Sequence, residues 1–187
     1  MPATTKPITY EESLKMPENR LEEIIDGASC ITPPAPTGHW ELLSHLRDVL
    51  EEQLPRRAYR FSSGEAGLGI RRNPVFTYRV PDLAVFSRAA LAQNKDPAYV
   101  WVAPVLIVEC LSPANRRGRI ERLRQHYESI CVPELWLVDP HKRVLSLYLL
   151  EAGLLRHADA IERGTIFPSR LPGVGVDLGE LWETFNS

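Results

Sequence analysis

The sequence predicts an α/β fold of the α+β kind, built on a mixed sheet. Three observations lead there. One long helical pattern lies between residues 40 and 54. Short strand patterns broken by Gly and Pro fill residues 58–87. A strand–helix–strand succession follows from residue 105 to 138, and such a crossover joins neighbouring strands that run parallel. The 187 residues, 44 % hydrophobic and 25 % charged, suit one globular domain over residues 1–187 rather than a disordered or fibrous chain.

The elements follow in order. Thr9 and Glu12 form a capping-box pattern for a short helix over residues 10–15, ahead of Pro17. Residues 21–25 and 28–32 read as a hairpin about Asp26-Gly27, a turn dipeptide. Pro33, Pro34 and Pro36 mark an extended connection. Trp40, Leu42, Leu43, Leu46, Val49, Leu50 and Leu54 then recur at helical spacing until Pro55. Residues 82–86 read as a strand opening after Pro81, and residues 89–103 as a loop or short helix. Residues 105–111 are apolar apart from one Glu, the pattern of a strand buried on both faces. Residues 116–129 read as a helix, 134–138 and 144–150 as strands about the turn at Asp139-Pro140-His141, and 178–185 as a final helix. Trp40, Trp101 and Trp136 sit in apolar patterns and are expected in the core or an interface.

Several function classes are disfavoured. The net charge of −2 gives no global attraction to nucleic acid. Three cysteines are too few for a disulfide framework, and their spacing to His39 and His141 is not that of a zinc finger. Ser112 lacks a nucleophile-elbow setting, and Gly64, Gly67 and Gly69 do not precede a phosphate-loop lysine. The uncharged run 97–108 is too short to span a bilayer, and residues 1–12 lack a signal core. A soluble, cytoplasmic protein with no membrane partner is expected.

Two carboxylates carry the chemistry. Asp82 opens one strand after Pro81, and Glu109 ends the run Val105–Val108. A carboxylate on a central strand is costly unless paired or bound to a cation. Two on neighbouring strand ends suit Mg²⁺ or Mn²⁺; alternatively Glu109 pairs with a core Arg such as Arg79.

The stretch PVLIVECLSPANRRGRIERLRQHYESICVPELWLVD, preceded by VPDLAVF, ITYEESLKMP, LEEIIDGA and PPAPTGH and followed by GVGVDLGELW, resembles the Uma-type family of restriction endonuclease-like proteins. That family lies in the PD-(D/E)XK nuclease superfamily. The resemblance implies a restriction endonuclease-like core with flanking helices, and a Mg²⁺- or Mn²⁺-dependent DNA endonuclease working as a homodimer. Asp82 and Glu109 match its two metal-holding acids, Glu23 its N-terminal glutamate, and His39 the histidine opening the first long helix.

One position departs. In the resembling family a lysine stands on the helix one turn before a tyrosine. Tyr127 is present, but Leu123 occupies the lysine position, and Arg119 replaces an acid one turn earlier. The four lysines, Lys6, Lys15, Lys95 and Lys142, all lie outside this helix. Arg122 and Arg124 flank Leu123 and are the expected stand-ins, although an arginine is a poor proton acceptor. Arg116, Arg117 and Arg119 make the helix basic and are candidate contacts to a DNA backbone. The other reading is a catalytically degenerate nuclease fold that serves as a nucleic-acid-binding or protein-interaction module.

Overall fold

The computed structural model describes residues 6–17, 22–31, 36–113 and 117–185. α1 (Tyr10–Ser13) carries the expected capping box, with Thr9 and Glu12 each accepting from the other's backbone N–H. β1 (Glu22–Ile25) and β2 (Ala28–Ile31) pair antiparallel about Asp26 and Gly27, whose φ angles are 51° and 76°. Both central residues in the left-handed region are what a tight hairpin turn demands, hence the Asp-Gly pair. The expected outer residues 21 and 32 of this hairpin fall outside the described residues.

α2 (Thr37–Gln53) buries Leu42, Leu46 and Leu50, four residues apart on one stripe. Leu54 is already extended ahead of Pro55, which disfavours a helical residue before it. β3 (Tyr59–Ser62), β4 (Leu68–Arg71), β5 (Thr77–Arg79) and β6 (Leu83–Ser87) follow, then α3 (Arg88–Leu91). β7 (Leu106–Cys110), α4 (Arg117–Ser129) and β8 (Glu134–Asp139) form the crossover unit, with β7 and β8 parallel. β9 (Val144–Glu151) and β10 (Leu154–Ile161) form a hairpin, and β11 (Thr165–Ile166), β12 (Val176–Asp177) and α5 (Leu178–Thr184) complete the order.

The main sheet has six strands, β10-β9-β8-β7-β6-β3, and a smaller one runs β2-β1-β5-β4. One core layer unites Leu42, Leu46 and Leu50 of α2 with Leu83, Val85, Leu106 and Val108 of the main sheet and Leu178 and Leu181 of α5. The other unites Ala84, Phe86 and Ile107 with Tyr127 of α4, partly buried Ile120 and Leu123, and Leu68 of β4. Each central strand therefore feeds both layers by simple alternation, which explains why residues 105–111 read as continuously apolar.

Two local devices hold the periphery. Asp96 accepts from the Tyr10 hydroxyl at 2.6 Å, the Trp101 indole at 2.9 Å and Arg72 at 2.6 Å, pinning α1 to the loop after α3. A Cβ at Gly69 would lie 2.6 Å from the Trp101 ring, so only glycine admits that packing. Trp136 is fully buried in the core, whereas Trp40, 63 % exposed, lies outside it. The inward stripe of α2 runs through His39 and Leu42, and Trp40 is turned away from it. Among the described residues no helix is long and apolar enough to cross a membrane.

Candidate active site

β6 and β7 pair antiparallel, with Leu83 opposite Val108 and Ala84 opposite Ile107. One step further along that register sets Asp82 opposite Glu109. Alternation then decides the face. Leu83 and Val108 enter the α2 layer, so Asp82 and Glu109 project into the α4 layer with Ala84 and Ile107.

Each acid has a fixed partner. Asp82 accepts the Cys110 backbone N–H at 2.8 Å. Tyr127, wholly buried on α4, donates its hydroxyl to Glu109. Each carboxyl group bears on the ionisation of the other. Burial pushes the Asp82 carboxyl up to about 6, against the pull of the Cys110 N–H. Burial, then the charge of Asp82, pushes Glu109 well above the ordinary carboxylate range. Two acids crowded in a poorly solvated corner share a proton or hold a cation.

Glu23 arrives from the smaller sheet. Its Oε2 accepts Arg79 Nη1 at 3.1 Å and its Oε1 accepts the Val80 N–H at 2.9 Å. Both oxygens are thus engaged, and Glu23 clamps the segment that leads into Asp82 while its charge bears on both acids. Arg79 is only 4 % exposed and also donates Nε to His126 Nδ1 at 3.0 Å, so His126 is a neutral acceptor here. Burial and the Arg79 charge push His126 down to about 4. The partner of Arg79 is Glu23, where the sequence offered Glu109 as one possibility. The clamp and His126 carried no sequence signal beyond the isolated charges.

The remaining candidates separate. His39 is buried in the α2 layer, its ring 6.3 Å from His141 and 5.9 Å from Phe185, with burial lowering its basicity; it makes no described hydrogen bond to Asp82 or Glu109. Arg124 is tied to Glu121 at 2.6 Å, Glu128 at 2.8 Å and the Leu155 carbonyl at 2.7 Å, which turns its guanidinium toward β10. Arg122 is 61 % exposed and lies 4.0 Å from Asp26. Neither flanking arginine is directed at the acid pair. Arg119 is the α4 cation whose charge bears on Asp82. Arg117 is exposed at the helix start, and Arg116 lies outside the described residues.

Asp82 and Glu109 fit a divalent ion by the chemistry of their oxygens: hard donors, adjacent, and destabilised as free anions. Among the described residues no group of three or more His, Cys, Asp or Glu side chains is arranged to hold a metal, in keeping with both Glu23 oxygens being engaged.

The family model described as "Putative restriction endonuclease", Uma2, matches residues 10–179. The chain belongs to the Uma2 family. No curated protein matches this Uma2 chain. Its fold is shared with the crystal structure of a "putative nuclease" of the DUF820 group from Anabaena variabilis, at TM-score 0.77 and 21 % identity, covering 96 % of this chain and 99 % of that one. The restriction endonuclease-like architecture anticipated from sequence is thus the architecture of this Uma2 member.

Proposed function

We propose that this chain is a metal-dependent nuclease that hydrolyses DNA phosphodiester bonds, with Asp82 and Glu109 holding Mg²⁺ or Mn²⁺. The observation that carries the reading is the acid pair, opposed across β6 and β7 and raised in pKa by burial. Held by Asp82 and Glu109, a divalent ion would polarise a phosphoryl oxygen and make a nearby water more acidic. The chain's own groups do the rest. The Cys110 N–H fixes Asp82, the Tyr127 hydroxyl orients Glu109, and Glu23 adds negative potential that draws a cation in. In the reaction a water oxygen bonds to phosphorus while one phosphorus–sugar oxygen bond breaks; the water gives up a proton, the departing sugar oxygen takes one up, and the products are a phosphomonoester and a free hydroxyl. Arg117, exposed on α4, would contact the flanking DNA backbone, and a homodimer would present two such sites to the two strands.

Plasmid nicking by wild type and Asp82→Ala in Mg²⁺, Mn²⁺ and EDTA tests this. Wild type is expected to nick with either ion and not in EDTA. Asp82→Ala is expected to lose about 100-fold or more, the scale of removing a charged transition-state group. Wild type that is folded and binds duplex but never nicks would favour the DNA-binding module instead, a reading supported by Leu123 packing into the core where a cation is expected.

A further inference from the structure

We propose that Arg119 is the residue of α4 that binds the scissile phosphate beside the acid pair, a role that rests on the nuclease reading. Three carboxylates, Asp82, Glu109 and Glu23, face this corner, and the cation buried among them, Arg79, is engaged by Glu23 and His126. With Arg79 and one divalent ion in place these three carboxylates are only just neutralised, so the corner offers a phosphodiester no net attraction without a further cation at its mouth.

The basic residues of α4 sort by geometry. Tyr127 marks the helix face that meets the site, since its hydroxyl reaches Glu109. Leu123 stands one turn earlier on that side and packs into the α4 layer, and Arg119 stands one turn earlier again. Helical side chains lean toward the N-terminus, so each of these covers the turn before its own Cα. Tyr127 thus reaches Glu109 through its hydroxyl, and Arg119 is the exposed residue two turns earlier along that side. Arg119 is exposed and makes no hydrogen bond or ion pair among the described residues, unlike Arg124 and Arg122. Its charge nevertheless bears on Asp82. A guanidinium that is uncommitted, solvent-facing and within electrostatic reach of Asp82 is suited to bidentate capture of phosphate oxygens. It stays protonated at any ordinary pH, so it contributes charge and hydrogen bonds and takes no proton from water.

The test separates this role from backbone contact elsewhere on the helix. Arg119→Ala, Arg119→Lys, Arg117→Ala and Arg119→Ala/Leu123→Lys are compared in steady-state nicking with Mn²⁺, with Arg156→Ala on exposed β10 as the unchanged control. Arg119→Ala is expected to lower kcat by about 100-fold, and Arg117→Ala to raise KM with kcat kept. Arg119→Lys and the Leu123→Lys double variant are each expected to recover at least about tenfold, since each returns a cation to that side of the helix. Fluorescence anisotropy of a labelled duplex in Ca²⁺ gives a second reading, in which Arg119→Ala reduces the salt slope of binding by about one. A kcat for Arg119→Ala within threefold of wild type overturns the assignment, as does an equal kcat loss in Arg117→Ala. If wild type binds duplex without nicking, the nuclease reading fails on its own. An unchanged salt slope in Arg119→Ala then overturns the phosphate contact as well.

Discussion

Replacing Asp82 by Asn is expected to stabilise the metal-free protein at pH 7.5 and to leave it unchanged at pH 4. The Asp82 carboxyl titrates at about 6 in the fold against 3.8 for an ordinary aspartate, burial being the main cause. A raised acid contributes stability that is complete below the unfolded value and is lost as pH rises through the folded one. The window is therefore pH 4 to 6, and above it the ionised form opposes folding. From 1.36 kcal/mol per pH unit the cost in wild type is roughly 2–3 kcal/mol, or roughly 5–10 °C in Tm for a chain of this length. Asn keeps an acceptor for the Cys110 N–H and removes the charge that also raises Glu109. His126, held near 4, works in the opposite direction, losing stability as pH falls from 6.5, but it is common to both proteins and drops out of the difference. Thermal unfolding of both proteins in EDTA between pH 4 and 7.5 measures this. Equal Tm values across the range would mean that the acid pair carries no stored cost. Millimolar Mn²⁺ should then narrow the gap at pH 7.5, because only wild type keeps both acids.

Breaking the buried clamp should cost more. Arg79 and Glu23 pair at 3.1 Å with side chains 5 % and 11 % exposed. Arg79→Met leaves Glu23 with the Val80 N–H alone and His126 Nδ1 without its donor. Removing one member of a buried ion pair costs about 3–5 kcal/mol, since the survivor is a desolvated charge. Arg79→Met/Glu23→Gln removes that charge and is expected to recover about half or more of the loss. Urea denaturation of the two variants decides. A double variant no more stable than Arg79→Met would show that packing of the arginine stem, not the pair, holds this corner.

The legible parts of the molecule are those where one physical demand dominates the local sequence. Residues 82–86 and 105–110 had to be apolar throughout because both faces of β6 and β7 are covered, and their two acids stood out against that background. The 10–13 capping box and the Asp26-Gly27 turn were equally local. β10 was not anticipated, because it is an exposed edge carrying Arg156, His157 and Asp159, so neither alternation nor an apolar run marks it. Its only local sign is Ala152-Gly153, both at positive φ, between two leucine-rich stretches. Asp82 and Glu109 stand out in sequence as carboxylates on apolar strands, but their opposition does not, since register belongs to the pair of strands. Arg122 and Arg124 looked suitable by adjacency to Leu123. What removed Arg124 was its engagement with Glu121, Glu128 and a carbonyl of β10, contacts that span the fold.

The antiparallel register of β6 and β7 also sets which length changes this chain can absorb. Residues 88–105 connect the two strands across the surface, and an insertion there leaves Leu83 opposite Val108 and the acids opposite each other. A single residue inserted between Asp82 and Phe86, or between Leu106 and Glu109, inverts the facing of everything on one side of it. One acid would then turn into the α2 layer among leucines, and the other would remain beneath α4. Homologous chains of different lengths should therefore differ in the 88–105 connection and be gap-free through both strands.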